Sequence, residues 1–367
     1  MKHVLIIGGY GNFGRFISQT LARETDIQLT IAGRSKEKAD TLAAELQISP
    51  IAQGYQLDIR KPLTEHLRHL QPDIVIHTSG PFQRQGYGVA QACIEYGAHY
   101  IDLADGREFV SNITTLNKTA QDNNVLIVSG ASSVPGLTSA IVDKYLPEFG
   151  HLESLDYGIT TAQKTTRGLA TTASILGYTG KPVETLTAGK TDTIYGWQGL
   201  SARKYPQLGW RLLGNCDIPD LAIFPTRYPG LKNMRFYAGL EIPLIHISLW
   251  LLSWGVRTGL IKDLSSSAAT LLRLSFLFDW LGTANSGFHM LMSGTDHYGN
   301  DKEICFELTA RSGDGPYIPC MPAILLTRKL IANQVSQRGA QPCTGLISLE
   351  EYLSALSEMD ISWSVTD

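Results

Sequence analysis

Val4-Leu5-Ile6-Ile7-Gly8-Gly9-Tyr10-Gly11-Asn12-Phe13-Gly14 decides the fold of this chain. An apolar run long enough for a buried strand passes into a glycine turn, and a helical pattern from Arg15 to Arg23 follows. Gly9, Gly11 and Gly14 have the spacing G-x-G-x-x-G. That spacing allows a tight turn, close approach of backbone to a pyrophosphate, and close packing of helix on strand. The N–H groups that open the helix then face an anion, so Asn12 and Phe13 join the three glycines as candidate cofactor contacts.

A second strand, Gln28 to Ala32, ends in Gly33-Arg34-Ser35-Lys36, about twenty residues past Gly14. Dinucleotide-binding proteins that prefer NAD place an acid there for the ribose 2′-hydroxyl. A cation stands there instead. Arg34 can stack on adenine and pair with a 2′-phosphate, to which Ser35 can donate a hydrogen bond, so NADP(H) is the expected cofactor.

The first third continues the alternation. Strands are expected at 4–7, 28–32, 54–57, 74–77, 99–103 and 125–128, with helices near 12–23, 36–46, 62–70, 86–96 and 107–122. Six strands with crossover helices imply an α/β fold, a doubly wound and mostly parallel Rossmann sheet. Ligands of such sheets lie beyond the carboxyl ends of the strands. Asp58 follows the third strand and can serve the adenine end. Thr78-Ser79-Gly80-Pro81 follow the fourth and can line the nicotinamide ribose. His77, His99, Tyr100, Asp102, Asp105 and Arg107 sit where hydride chemistry would need an acid, base or anion clamp. Asp105 and Arg107, which straddle Gly106, are the leading pair, with Asp102 as the further proton-handling candidate; a helix-capping Asp105 beside a solvated Arg107 is the alternative.

After residue 133 the pattern changes. The expected division is a nucleotide-binding domain at 1–133 and a second, substrate or dimerisation domain at 134–367. Alternating runs at 155–161, 289–295 and 304–310 predict antiparallel strands, the last two forming a hairpin. Between Glu241 and Arg257 run fifteen uncharged residues, IPLIHISLWLLSWGV, and after Lys262-Asp263 comes a second apolar stretch with Leu271, Leu274, Phe278 and Leu281 at helical spacing. A spanning helix needs roughly 20 apolar residues, so the pair is read as helices that do not cross a bilayer. A buried hairpin, a dimer interface, a wall for a lipid-like substrate and a peripheral membrane contact through 242–281 all remain open. Trp250 and Trp254, four residues apart, share one helical face.

With 367 residues, a net charge of −3 and no basic stripe, the chain offers nothing for nucleic acid. Five cysteines without a C-x-x-C pair fit neither a zinc site nor a disulfide framework, so no metal is expected and the compartment is read as reducing and cytoplasmic, with membrane contact at most peripheral. A homodimer is expected. The motifs of serine hydrolases, zinc metalloproteases and P-loop proteins are missing.

His77-Thr78-Ser79-Gly80-Pro81-Phe82, then Gly86, Ala92-Cys93 and Gly97-Ala98-His99-Tyr100-Ile101-Asp102, resemble the saccharopine dehydrogenase-like (saccharopine reductase-like) NAD(P)-binding oxidoreductases. Val134-Pro135-Gly136 is similar to the turn after that family's sixth strand. The resemblance implies a Rossmann domain, a second α/β domain with a mixed sheet, NAD(P)-linked hydride transfer, and C-terminal helices at Cys320–Leu330 and Ile347–Leu356 that pack back on the first domain. It implies a structural or substrate-side role for Asp102. Where the family continues into Gly-Glu, this chain reads Leu103-Ala104-Asp105-Gly106-Arg107, and the apolar pair is unlike a pocket for a zwitterionic diamino acid. The resemblance is therefore to the divergent members, which include trans-acting enoyl reductases. It implies a hydrophobic C=O, C=N or C=C substrate, with a saccharopine-type amino-acid dehydrogenase and a non-catalytic NADP(H) sensor or membrane-surface adaptor as alternatives.

Overall fold

A computed structural model of the chain describes residues 1–46, 52–83 and 85–367, in two compact units. The first comprises Met1–Ala140 and Tyr317–Ala355, the second Ile141–Pro316 and Leu356–Asp367.

In the first unit, the strands β1 (Lys2–Ile7), β2 (Ile27–Gly33), β3 (Gln53–Gln56), β4 (Ile74–His77), β5 (His99–Asp102) and β6 (Leu126–Ser129) are all parallel. Their order is β6-β5-β4-β1-β2-β3, and the strand Gly339–Pro342 pairs in parallel outside β6 as a seventh member. Both faces of a parallel sheet are covered by its crossover helices, which is why β1 and β4 are continuous apolar runs rather than alternating ones. Leu5, Ile7, Val75, Tyr100 and Ile127 form part of one buried cluster. The helices Met321–Ile331 and Leu349–Leu356 also lie in this unit.

The second unit holds β7 (His151–Thr161), β8 (Pro182–Thr187), β9 (Lys190–Tyr195), β10 (Ser201–Tyr205), β11 (Gly209–Asn215), β12 (Asn233–Leu240), β13 (Ser286–Thr295), β14 (Asp301–Ala310) and, after Gly339–Pro342 as β15, β16 (Ile361–Thr366). Its main sheet runs β10-β11-β12-β7-β13-β14-β16, with β12 parallel to β7 and the other pairs antiparallel, while β8 and β9 form a separate hairpin. The sheet is thus mixed. Leu155, Tyr157, Met234, Phe236, Met290 and Phe306 share its buried face at the strand period of two. The β13–β14 hairpin forms where expected: Asp296 accepts from the N–H groups of Tyr298 and Asn300, and Gly299 takes the positive φ of 86° that the turn requires.

The first apolar stretch is a helix, Pro243–Arg257, with proline in its first turn, where the missing N–H costs nothing. The second is the helix Ala268–Ser275, which tightens into a 3₁₀ turn over Phe276–Leu281. Among the described residues no helix is long and apolar enough to cross a membrane.

Candidate functional site

At the carboxyl end of β1 the chain turns on Gly8, whose φ of 81° suits glycine. Gly11 N–H donates to Gly8 O at 2.8 Å and closes the turn. A Cβ on Gly14 would lie 2.2 Å from Gly8 O and 2.8 Å from Gly9 Cα, so the helix Asn12–Leu21 sits directly on the turn only because Gly14 has none. A Cβ on Gly8 would lie 2.5 Å from Ser79 Oγ and 2.7 Å from Thr78 Oγ1. The turn and the segment after β4 are therefore in contact at the point where strand order reverses between β1 and β4, the place where doubly wound sheets bind their ligands. The helix opens with no side-chain cap and no acid in its first turn, which leaves its N-terminal donors and partial positive charge for an anion.

On one side of that switch point lie Arg34, Ser35 and Asp58. Arg34 is exposed. Ser35 accepts a 3.3 Å hydrogen bond from Lys38 N–H as a helix cap, and its own N–H donates to Tyr10 Oη at 3.0 Å. Tyr10 lies across Gly33, where a Cβ would meet its ring at 2.5 Å. Asp58 is held by Arg60, which donates from Nη2 to Oδ2 at 2.6 Å and from Nε to Oδ1 at 2.9 Å. These hydrogen bonds from Arg60, with Arg34 adding positive potential, hold Asp58 well below the usual carboxylate range. The cationic side of this region is thus Arg34, with Asp58 already neutralised. An NADP 2′-phosphate fits such a surface; an unpaired acid would repel it.

On the other side lie Thr78 to Pro81, Asp102, Asp105 and Arg107. Thr78 Oγ1 donates to Ile7 O at 3.0 Å, and Gln85 Nε2 donates to the carbonyls of Ser79 and Pro81 at 2.7 and 3.0 Å, which fixes the segment. Gly80 and Pro81 are exposed. Asp102 is fully buried, and its Oδ1 accepts from Ala104 N–H, Ser129 Oγ and Gly130 N–H at 2.9, 2.9 and 2.8 Å. One carboxylate oxygen therefore ties together the turns after β5 and β6. Burial pushes the Asp102 carboxyl up to about 6 against the pull of those donors. Its position is interior, whereas Asp105 is half-buried and accepts from Gln83 Nε2 at 3.0 Å. Arg107 is half-buried in the first turn of the helix Arg107–Ser111.

His77 and Tyr100 form a buried pair, Nδ1 to Oη 3.0 Å, with the edge of the His77 ring against Phe82. Burial lowers His77 to about 3, so it is neutral at ordinary pH. His99 Nδ1 accepts from Leu126 N–H at 3.0 Å and ties the start of β5 to the start of β6.

Sequence reasoning missed Gly8, Tyr10, Arg60, Gln83 and Gln85. The doublet Gly8-Gly9 and the Asp-x-Arg spacing of 58 and 60 were the available signals. The two glutamines carried none, because their partners are backbone atoms and a loop set by the tertiary fold.

Fold and site together define an NADP-binding Rossmann domain, joined in sequence to a mixed-sheet domain. Residues 4–128 match the saccharopine dehydrogenase NADP binding domain. In this domain the chain is similar to the saccharopine dehydrogenase-like oxidoreductases. It is 30% identical over 139 residues to a trans-acting enoyl reductase of Mycobacterium ulcerans, covering 36% of this chain and 33% of that protein. It is 28% identical over 150 residues to a saccharopine dehydrogenase-like oxidoreductase of Homo sapiens, covering 36% and 35%. The match spans about a third of the length of these curated relatives. In fold, the whole chain is similar to apo saccharopine dehydrogenase (L-Glu forming) from Saccharomyces cerevisiae, with a TM-score of 0.70 at 13% identity over 100% of both chains. An amine dehydrogenase from Mycobacterium smegmatis follows at 0.51 and 10%, over 94% of each.

Proposed function

We propose that the chain is an NADP(H)-dependent oxidoreductase acting on a hydrophobic substrate with a C=O, C=N or C=C bond. The observation that carries this reading is the convergence, on the carboxyl ends of one parallel sheet, of an uncapped glycine turn, an exposed Arg34, and a half-buried carboxylate–guanidinium loop at Asp105 and Arg107. When bound, NADP(H) would supply or accept a hydride at its nicotinamide. Gly9, Gly11, Asn12, Phe13 and Gly14 would hold the pyrophosphate through backbone N–H groups, and Arg34 with Ser35 would hold the 2′-phosphate. Thr78, Ser79, Gly80 and Pro81 would orient the nicotinamide half.

Asp105 would give or take the proton that balances hydride transfer, with Arg107 holding its charge and Gln83 its orientation. Asp102 is a positioning residue in this account: its Oδ1 fixes the turns that begin at Ala104 and Gly130. The hydrophobic substrate is supported by two features. The second unit exposes apolar side chains along its helices, and the curated relatives include proteins named trans-acting enoyl reductases.

The test follows NADPH consumption with long-chain enoyl thioesters, long-chain ketones and saccharopine offered in parallel. Turnover of an apolar substrate that Asp105→Ala abolishes, with NADPH affinity intact, is the expected result. Turnover of saccharopine alone would overturn the substrate class, and full activity in Asp105→Ala would remove that residue from the chemistry.

A further inference from the structure

The helix Pro243–Arg257 is turned inside out for a water-soluble protein. Its buried residues are His246, Leu249 and Ser253, two of them polar, and its outward stripe is Leu244, Ile247, Leu251 and Trp254. Spacings of three and four residues put each set on one face. Burial lowers His246 to about 4, so it sits inside as a neutral ring, edge-on to Trp197.

The segment that follows continues the exposure. Leu277 and Trp280 are 67% and 77% exposed, and ten of the eighteen large apolar side chains exposed among the described residues fall within 244–281. Scattered exposed apolar residues need no explanation, but a concentration of this kind marks an interaction surface. It is presented on a fixed frame. Glu241 accepts from Gln163 N–H and Thr283 N–H at 2.8 and 2.9 Å, and Arg167 pairs with Asp279 while lying 4.6 Å from the Phe276 ring centre.

Charge decides between occupants. Segments 164–181 and 243–281 carry six Lys and Arg residues and two acids, in a chain whose net charge is −3. Both acids are already paired, Asp279 with Arg167 and Asp263 with Lys181. A twofold dimer through this face would bring the same cations together. An anionic lipid surface would attract them, and tryptophan and phenylalanine beside them suit the headgroup boundary. The fifteen-residue helix is too short to span, so a bilayer contact through it would be peripheral.

We propose that residues 244–281 dock the chain peripherally on an anionic lipid bilayer, with Leu277 and Trp280 entering the acyl boundary and Lys262 and Arg273 meeting the headgroups. The docking draws on the same exposed apolar side chains that support the hydrophobic substrate, and it does not involve the nucleotide site.

The experiment is flotation of the full chain with vesicles of phosphatidylcholine alone or mixed with phosphatidylglycerol, at low and high salt. Flotation with the phosphatidylglycerol vesicles, weakened by salt, is expected. The double variant Leu277→Ser, Trp280→Ser should partition at least about tenfold less, since full burial of even one such side chain contributes about one decade or more. Its melting temperature and NADPH binding should not change. Lys262→Glu with Arg273→Glu should abolish the preference for the anionic lipid. A wild-type chain that stays out of both vesicle types at low salt overturns the proposal. So does a wild-type dimer that the Leu277→Ser, Trp280→Ser variant converts to monomer, because the face would then belong to a second copy.

Discussion

The turn Gly8–Gly14 and the apolar region 244–281 solve opposite problems with equally plain sequence. In the turn, backbone lies against backbone, and the residues that matter are those with no side chain: Gly14 rests on Gly8 O, and Gly8 on Ser79. In the apolar region ten large apolar side chains face outward, while the polar His246 and Ser253 are inside. The first is determined entirely by what the chain does to itself. The second depends, in the docking proposal, on a surface outside the chain, and there a short glycine motif is more informative than the twenty-two apolar residues of 244–281.

The largest expected effect sharpens that contrast from the turn. Gly14→Val puts a side chain into the 2.2 Å gap to Gly8 O, so it should cost about 1–3 kcal/mol or more in urea unfolding and remove NADPH binding altogether. An intact nucleotide site in this variant would show that the helix does not need to rest on the turn.

Acid stability comes next in size. His77 is neutral when folded, with burial lowering it from 6.5 to about 3, so in that window the unfolded chain binds more protons than the folded one. Stability therefore falls as pH drops below about 6.5, by an amount on the order of a few kcal/mol if fully expressed. Asp102 has the opposite sign: burial raises it to about 6, the folded chain holds the extra proton, and its contribution grows as pH falls through that value. His77→Gln should thus be less stable than wild type at about pH 7, through loss of the Tyr100 partner, and the gap should narrow in acid. Asp102→Asn should widen its deficit over the same range. Urea unfolding at several pH values reads both, and a gap independent of pH would contradict the neutral buried imidazole.

Arg34→Ala should weaken NADPH by about 1–3 kcal/mol, the size of a charge-assisted phosphate contact, and leave NADH unchanged. Calorimetric titration of each cofactor measures it. The smallest effect lies in the apolar region. Trp280→Ser alone, at a side chain 77% exposed, should change stability by no more than about 0.5 kcal/mol. A large loss of stability there would mean that Trp280 belongs to the core and would erase the contrast.

The nucleotide half was legible because each of its signals is local. The strands expected at 4–7, 28–32 and 74–77 form within one or two residues of their expected ends, and β4 spans Ile74–His77 as read. The seventh strand, Gly339–Pro342, was not anticipated: four residues of Gly-Ala-Gln-Pro have no apolar alternation, and they pair with β6 more than two hundred residues away. Arg60 was invisible for a related reason, since a surface arginine becomes a clamp only when the loop after β3 folds it back on Asp58. The sidedness of Pro243–Arg257 was not readable either. A helix that is apolar nearly all round gives no period from which to choose its inner face, and the buried His246 and Ser253 would by themselves have suggested the wrong one.

The central claim is that the glycine turn and Arg34 form a working NADP(H) site. Titration of the purified chain with NADPH and with NADH, followed by quenching of its six tryptophans and energy transfer to the nicotinamide, tests it directly. Saturable NADPH binding at least about tenfold tighter than NADH is expected, a preference that Arg34→Ala removes. Equal affinity for the two cofactors, or binding of neither, would contradict it.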